Sequence, residues 1–251
     1  MRKYSFFSLV VILGLSACKD DKISPIVPIN EANQLEVRVQ PVFGAENIEE
    51  DSVYTTSEGY DVKFTDLKFY FTNVKNGANT LVDAALFDWV SKGVQLFKVN
   101  AEKANFSSFE GNLGVSASEN HLDPSAFGTS NPLNIAIAND MHWDWNPGYI
   151  FIKIEAKVDT IPDGIALFDH NVVMHVGKDE NMQTFSFDQL NWVTVSNYLS
   201  VLNLKLDMQT FLQNAGQNID LKTEFSTHTA PGQEALSLKV IQNFKAAIKK
   251  V

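Results

Sequence analysis

Alternation of apolar and polar residues over short extended segments is the feature that most restricts the fold of this chain. In DVKFTDLKFYFTNV (61–74), valine, leucine and phenylalanine recur at every second position, and the step at Thr65-Asp66 shifts the alternation by one residue. A period of two is typical of a strand with one buried face. The shift predicts a β-bulge, where one extra residue is inserted into a strand.

The same pattern predicts most of the remaining structure. Strands are expected in QLEVRVQPVFG (34–44), ended by Pro41 and Gly44, and in FSSFEGNLGV (106–115), interrupted at Gly111 and Gly114. Further strands are expected at 94–100, 149–156, 171–177, 183–187 and 194–208. In 149–156 the isoleucine side is the predicted buried face. Two proline residues and a glycine predict a loop at 120–136.

Two helical segments are expected near the carboxyl terminus. Asp207 is positioned to cap a short turn that follows it, and apolar residues at three- and four-residue steps, from Leu238 to Ile248, predict a helix from Ser237. The predicted fold is therefore all-β: a single antiparallel β-sandwich of the immunoglobulin-like kind over 34–251, with long loops and a short C-terminal helix. A division into two domains near 122–134 is the alternative.

The amino terminus predicts export and lipidation. Residues 1–17 have a basic start and a short apolar run, and Leu15-Ser16-Ala17-Cys18 resembles the lipobox of bacterial lipoproteins, which implies acylation of Cys18. Residues 18–33 are predicted to be a tether, and Lys19-Asp20-Asp21 is similar to signals that send lipoproteins to the cell surface. The expected location is the outer membrane, on its periplasmic or surface-exposed face.

Charge and cysteine content exclude several classes of partner and site. The chain has 20 Lys and Arg against 30 Asp and Glu, and Arg38 is its only arginine once the signal is removed. Nucleic acid is therefore not an expected partner, because phosphate recognition relies on clustered cations. The single cysteine, Cys18, rules out an intramolecular disulfide and thiolate-based metal sites.

Sequence signatures of catalysis are missing. The chain has no G-x-S-x-G, P-loop, dinucleotide-binding or H-E-x-x-H motif. We therefore expect a protein that is not an enzyme.

Histidine is the most informative residue type that remains. Three of five histidines lie in loops or at strand ends: His142 in MHWDW, His175 in VMHVG and His228 in STHTAPG. Loops at one rim of a sandwich can bring such residues together. Imidazoles without thiolates suit copper or zinc, and a thioether from Met141 or Met174 would favour Cu(I). Met174 and His175 are adjacent in a strand, point to opposite faces and are not expected to bind one ion.

These segments also carry a family resemblance. In order along the chain, 62–74, 109–120, MHWDWNPGYIFIKIEA (141–156), MHVG (174–177) and HTAPG (228–232) resemble the MbnP family of periplasmic or surface copper-binding proteins. The most specific part is M-x-W-x-W-x-x-G-Y, beginning at Met141 and ending at Tyr149. The resemblance covers most of 35–250.

The resemblance implies a site and a partner. Copper-binding members hold the metal with two histidines and a kynurenine made from tryptophan, and they can be encoded with a di-haem cytochrome c peroxidase-like protein that performs the oxidation. Trp143 matches the modified tryptophan and His175 a histidine ligand. Trp145 stands where the best-known members have a histidine, so His142 or His228 would have to supply that ligand. Trp145 is the alternative candidate for oxidation.

Two other interpretations of the aromatic residues stay open. Trp143, Trp145 and Tyr149 would provide a stacking platform if the protein were a surface glycan-binding lipoprotein. The tryptophans would instead be packing residues if they closed the rim of the sandwich. Glu155 is expected to be solvated or hydrogen-bonded to a loop.

Overall fold

Two β-sheets form most of the protein in the computed structural model, which describes residues 32–143 and 148–251. The strands are β1 (Gln34–Phe43), β2 (Glu46–Asn47), β3 (Tyr54–Thr55), β4 (Asp61–Asn76), β5 (Asn79–Asp88), β6 (Gln95–Asn100), β7 (Phe109–Leu113), β8 (Ile150–Asp159), β9 (His170–Gly177), β10 (Gln183–Phe187), β11 (Val193–Thr194), β12 (Leu199–Asp207), β13 (Ser226–Thr227) and β14 (Ile248–Lys250). The α-helices are α1 (Trp89–Lys92), α2 (Ala117–Asn120), α3 (Ile135–Ala138), α4 (Met208–Leu212) and α5 (Glu234–Ala247).

The larger sheet positions the candidate site. Its strand order is β10-β7-β4-β8-β9-β13, with β3 and β5 also paired to β4. Strand β4 contains a bulge between Phe64 and Asp66, which confirms the predicted break at Thr65-Asp66. Beyond the bulge, Asp66 lies opposite Glu155 of β8, and Lys68 lies opposite Lys153.

The smaller sheet contains a pairing that the sequence does not predict. Strand β1 is parallel to β12 over nine residue pairs, from Gln34↔Leu199 to Val42↔Asp207. The sandwich is therefore not antiparallel throughout, since β9 and β13 are parallel as well. Pro41 does not end β1, which continues to Phe43. The parallel pairs join segments far apart in sequence, which the alternation of side chains cannot reveal.

One hydrophobic core lies between the sheets and under α5. Phe43 of the smaller sheet lies 6.4 Å from Phe64 of the larger one, measured between ring centroids. Phe244 of α5 packs edge-on against Phe69 of β4 at 5.5 Å. Residues 32–251 form one compact unit by their contacts. In the two ranges that the structure describes, no helix is both long enough and apolar enough to cross a membrane.

The all-β sandwich is confirmed, and the differences from the predicted elements are local. Asp207 does cap α4, because its carboxylate accepts a hydrogen bond from the Thr210 backbone N–H. Helix α5 begins three residues before Ser237, and Ile248 leaves it to pair with Leu206 of β12. Strand β7 runs through Gly111 without interruption.

The connection between β7 and β8 was predicted to be a loop but contains short helical turns, including α2 and α3. This connection covers a second face of β8. The Tyr149 hydroxyl just before β8 donates to the Leu133 carbonyl, and Lys153 of β8 binds Asp140. The prediction that β8 is buried mainly on its isoleucine side is therefore wrong, since Tyr149 and Phe151 are fully buried too.

Candidate metal site

His175 and His228 lie side by side although 52 residues separate them in the sequence. Their ring centroids are 5.0 Å apart and the rings are nearly perpendicular. The register of β9 and β13 explains the approach: Ser226 pairs with Val173 and Thr227 with Met174 in a parallel ladder. The next residue is His175 within β9 and His228 directly after the end of β13. Parallel pairing thus places the two imidazoles together.

Hydrogen bonds hold the His228 loop in this position. The Gln233 side-chain oxygen accepts from the His228 backbone N–H at 2.8 Å and from the Ala230 N–H at 3.2 Å. The hydroxyl of Thr229 donates to the His175 carbonyl at 3.4 Å and accepts from the Gly177 N–H at 3.2 Å. The loop is therefore fixed to the end of β9 at His175 and at Gly177.

Glu155 orients the first imidazole. Its carboxylate lies 2.9 Å from Nε2 of His175, and the hydrogen bond from His175 is the main cause that lowers the pKa of Glu155. An ionised carboxylate can only accept, so Nε2 of His175 carries the hydrogen and donates it. The lone pair of the neutral ring is then on Nδ1, which is the nitrogen available to a metal.

Burial affects the second imidazole. Burial is the largest cause that lowers the pKa of His228, and repulsion from His175 lowers it further. The Glu155 carboxylate raises it, but by less. A lowered pKa favours the neutral ring at neutral pH, which is the form that binds metals.

A row of charged side chains, in which both lysines are buried, leads away from the pair along the sheet. The Lys153 ammonium lies 3.3 Å from Glu155 and 2.9 Å from Asp66, and it also binds Asp140. Burial lowers the pKa of Lys153, but its hydrogen bonds to Asp140 and Asp66 and the attraction of the carboxylates raise it on balance. Lys68 repeats the arrangement, with Asp140 at 2.8 Å and Asp66 at 3.3 Å.

Sequence reasoning missed this row because it treated each charged residue separately. Lys68, Lys153 and His175 are direct neighbours across three adjacent strands, and Asp66 and Glu155 form the next rung. The cue in the sequence is that lysine and glutamate alternate with buried isoleucines in IFIKIEA. Glu155 lies within β8 and bonds a strand histidine rather than a loop. Its side chain is 33% exposed, so the expected contact with solvent is kept and only the expected loop contact is wrong.

Trp143 is a packing residue at the end of β9. Its side chain is 5% exposed, and its six-membered ring lies against Gly177 so closely that a Cβ at that glycine would be 2.6 Å from Cζ3 of the indole. Gly177 is two residues beyond His175 on the same strand. Trp143 also forms one wall of a cavity of about 200 Å³ near His121 and Asp179.

The other three histidines have different surroundings. His142, the residue before Trp143, has an extended backbone. Its ring packs edge-on against Tyr149, with ring centroids 5.0 Å apart. His121 is exposed and bonds Asp179 at 2.8 Å, and His170 packs on Phe225 at 4.3 Å. Of the predicted ligands, the structure therefore places His175 with His228.

Some predicted site residues cannot be placed. Trp145 and Cys18 lie outside the described residues. Within residues 32–143 and 148–251, no group of three or more His, Cys, Asp or Glu side chains has an arrangement that could hold a metal ion. The described chain thus contributes a pair of imidazoles rather than a full coordination shell.

The aromatic platform of the glycan-binding alternative does not form from the described residues. Tyr149 is fully buried and Trp143 nearly so, because the β7–β8 connection and β9 cover them. A buried ring cannot stack on a sugar, so these two residues do not provide that surface.

The fold and this site define a β-sandwich protein with paired imidazoles at one end of its larger sheet. The family model of MbnP matches residues 32–231, and the chain belongs to the MbnP family. MbnP from Methylosinus trichosporium has a similar structure, with a TM-score of 0.51, 14% sequence identity, and coverage of 82% of this chain and 87% of that chain. At that identity the likeness supports the fold alone. No match was found among curated proteins.

Proposed function

We propose that the protein binds copper and holds or transfers it, without catalysing a reaction, through a site that includes His175 and His228. The observation that carries the proposal is the 5.0 Å approach of their rings. Copper accepts imidazole nitrogen in both common oxidation states, and no thiolate is needed. Membership of the MbnP family supports the choice of copper over zinc.

The two imidazoles fit such a role. When the His175 ring is neutral, its lone pair is on Nδ1, because the Glu155 carboxylate holds the hydrogen on Nε2. Burial favours the neutral form of His228. A bound copper ion would supply redox capacity at this end of the sheet. The protein residues hold the rings in place and limit access of water, since the His175 side chain is only 14% exposed.

A further ligand is proposed to come from an oxidised tryptophan, with Trp143 as the first candidate and Trp145 as the alternative. Intact indole is a poor ligand, because its nitrogen is only a hydrogen-bond donor. Oxidation with two equivalents of peroxide cleaves the indole C2–C3 bond, adds two oxygen atoms and releases two waters. Hydrolysis then removes the formyl group as formate and leaves the aryl amine of kynurenine.

The Trp143 side chain is only 5% exposed. The proposed di-haem peroxidase-like partner would therefore withdraw electrons across intervening atoms rather than touch the indole. The cavity of about 200 Å³ beside the ring gives peroxide or water a route to it.

Copper stoichiometry tests the proposal. Wild-type protein should bind copper in proportion to protein, and His175→Ala and His228→Ala should each lose it. His121→Ala is the matched control, because this histidine is exposed and bonded to Asp179. Binding that survives both ligand substitutions would rule the site out. Peptide mapping of protein from its native host should find kynurenine at Trp143 or Trp145, and intact tryptophan at both would rule out the oxidised ligand.

Attachment to the outer membrane through acylated Cys18 is part of the same proposal. Its support is the Leu-Ser-Ala-Cys tetrad after a short apolar segment. The amino-terminal peptide of the mature protein should carry lipid and begin at Cys18. Cys18→Ser should leave an unlipidated precursor, and lipid-free wild-type protein would contradict the anchor.

A further inference from the structure

A second cavity lies at the other end of the larger sheet from the histidine pair, near β10 and β7 rather than β9 and β13. It has a volume of about 630 Å³ and lies among β4, β7, β10 and the end of α5. Strand β8 separates β4 from β9, which carries His175. Ligand pockets for small molecules usually have volumes of about 300–1,000 Å³, so the cavity is large enough for one.

Aromatic rings form the floor of this cavity. Phe185 stacks on Phe71 with centroids 4.1 Å apart, and Phe187 lies 5.5 Å from Phe185. Gly111 is needed for this arrangement, because a Cβ there would be 2.9 Å from the Phe185 ring and 3.0 Å from the Thr72 carbonyl. Phe187 remains partly exposed and presents an apolar surface to the cavity.

Four polar side chains surround the floor. The amides of Asn73 and Asn112 and the hydroxyls of Thr184 and Ser186 line the cavity. In the ranges that the structure describes, none of these four side chains makes a hydrogen bond. Asn73 adopts a left-handed backbone, with φ of 52°, where the ladder between β4 and β7 is interrupted. Amides and hydroxyls around an apolar floor match a ligand with one apolar face and a hydroxylated edge.

The charged lining favours an anion. Lys75 and Lys245 outnumber Glu110, and none of the three is in an ion pair within the described part of the chain. This local excess of positive charge occurs in a protein whose net charge is −10. Complementary charge contributes more to the choice between ligands than to the affinity for any one of them.

We propose that this cavity binds an acidic sugar, with a ring face on Phe187 and a carboxylate near Lys75 and Lys245. A hexuronate has the required features: axial C–H groups on one face, several hydroxyls and one carboxylate. The site is independent of the histidine pair and of copper.

Calorimetric titration of the purified protein with trigalacturonate tests the proposal, with cellotriose as the neutral sugar of the same length. The acidic sugar should bind about tenfold more tightly than the neutral one, and Lys245→Met should remove about that factor, as expected for one charge-assisted hydrogen bond. Lys249→Met is the matched control, because this exposed lysine is near Lys245 but not in the cavity.

Two further variants separate the outcomes. Phe187→Ala should weaken binding of trigalacturonate without changing the preference for acid over neutral sugar. His175→Ala should bind the sugar as wild type does, which makes the result independent of the copper proposal. Absence of trigalacturonate binding at millimolar concentration would overturn the proposal, as would equal binding of cellotriose or an unchanged affinity in Lys245→Met.

Discussion

His228 lies beside His175 because Thr227 is paired with Met174 in a parallel ladder, so that the next residue of each segment is a histidine. The position of one imidazole is thus set by the backbone hydrogen bonds of its neighbours. Both rings are also held from outside the ladder, His175 by Glu155 and His228 by Gln233 through its backbone N–H. A site built in this way is rigid before any ligand arrives, which lowers the ordering cost of binding.

Glu155→Gln should weaken copper binding while the fold is kept. An amide can donate as well as accept, so it no longer fixes the hydrogen of His175 on Nε2. Loss of such an orienting partner typically costs about 10- to 100-fold in metal affinity. Nitrogen NMR of the imidazole in metal-free protein should show a mixture of tautomers in place of one. Glu102→Gln is the exposed control, and unchanged affinity together with an unchanged tautomer would contradict the role of Glu155.

Lys153→Met should destabilise the protein strongly. The substitution leaves the carboxylate of Asp66 buried with only Lys68 near it, and removing one member of a buried charge group costs about 3–5 kcal/mol of unfolding free energy. Urea unfolding measures this loss. Adding Asp66→Asn should recover part of it, because the unpaired charge is then removed as well. Lys157→Met, exposed on the same strand, should change the unfolding free energy by less than about 0.5 kcal/mol.

Gly177→Ala should disturb the end of β9. The new Cβ would collide with the Trp143 ring and the Tyr149 carbonyl, and overpacking of this kind costs about 1–3 kcal/mol. Thermal unfolding should show the loss, and tryptophan fluorescence should shift as Trp143 moves. Gly128→Ala is the control, since a Cβ there meets no atom within 4 Å. Equal stability of the two variants would show that the indole does not pack as described.

Asp179→Asn should reduce stability at neutral pH but not in acid. Burial raises the pKa of Asp179, but hydrogen bonds from Asn120 and His121 outweigh it, so the pKa lies below its ordinary value of 3.8. A lowered folded-state pKa contributes stability that is complete above the unfolded-state value and is lost as the pH falls through the folded-state one.

The difference in unfolding free energy between wild type and Asp179→Asn should therefore be complete at pH 7 and shrink as the pH falls below 3.8 and through the folded-state pKa of Asp179. Because Asp179 is partly exposed, we expect no more than about 1 kcal/mol. Asp83→Asn, an exposed carboxylate on β5, should show no such dependence. A constant difference across the pH range would mean that charge is not the cause.

The sequence determined the local structure well where side chains alternate. The bulge in β4, the cap at Asp207 and the strand that carries His175 all follow from near neighbours in the chain. Strand β5 was missed, because the paired alanines at 84 and 85 weaken the strand signal. The family could also be predicted, since its motifs are contiguous segments.

Only the tertiary structure decided which residues meet. Nothing in the pattern around His228 indicates that it pairs with His175 rather than His142, because parallel pairing joins segments distant in sequence. Nor does it indicate that Lys68, Lys153 and His175 form one row, since adjacency across strands depends on register. Alternation fixes which face of a strand a side chain takes, because that is a property of the local backbone. Which strand lies beside it depends on how the whole chain buries its apolar surface.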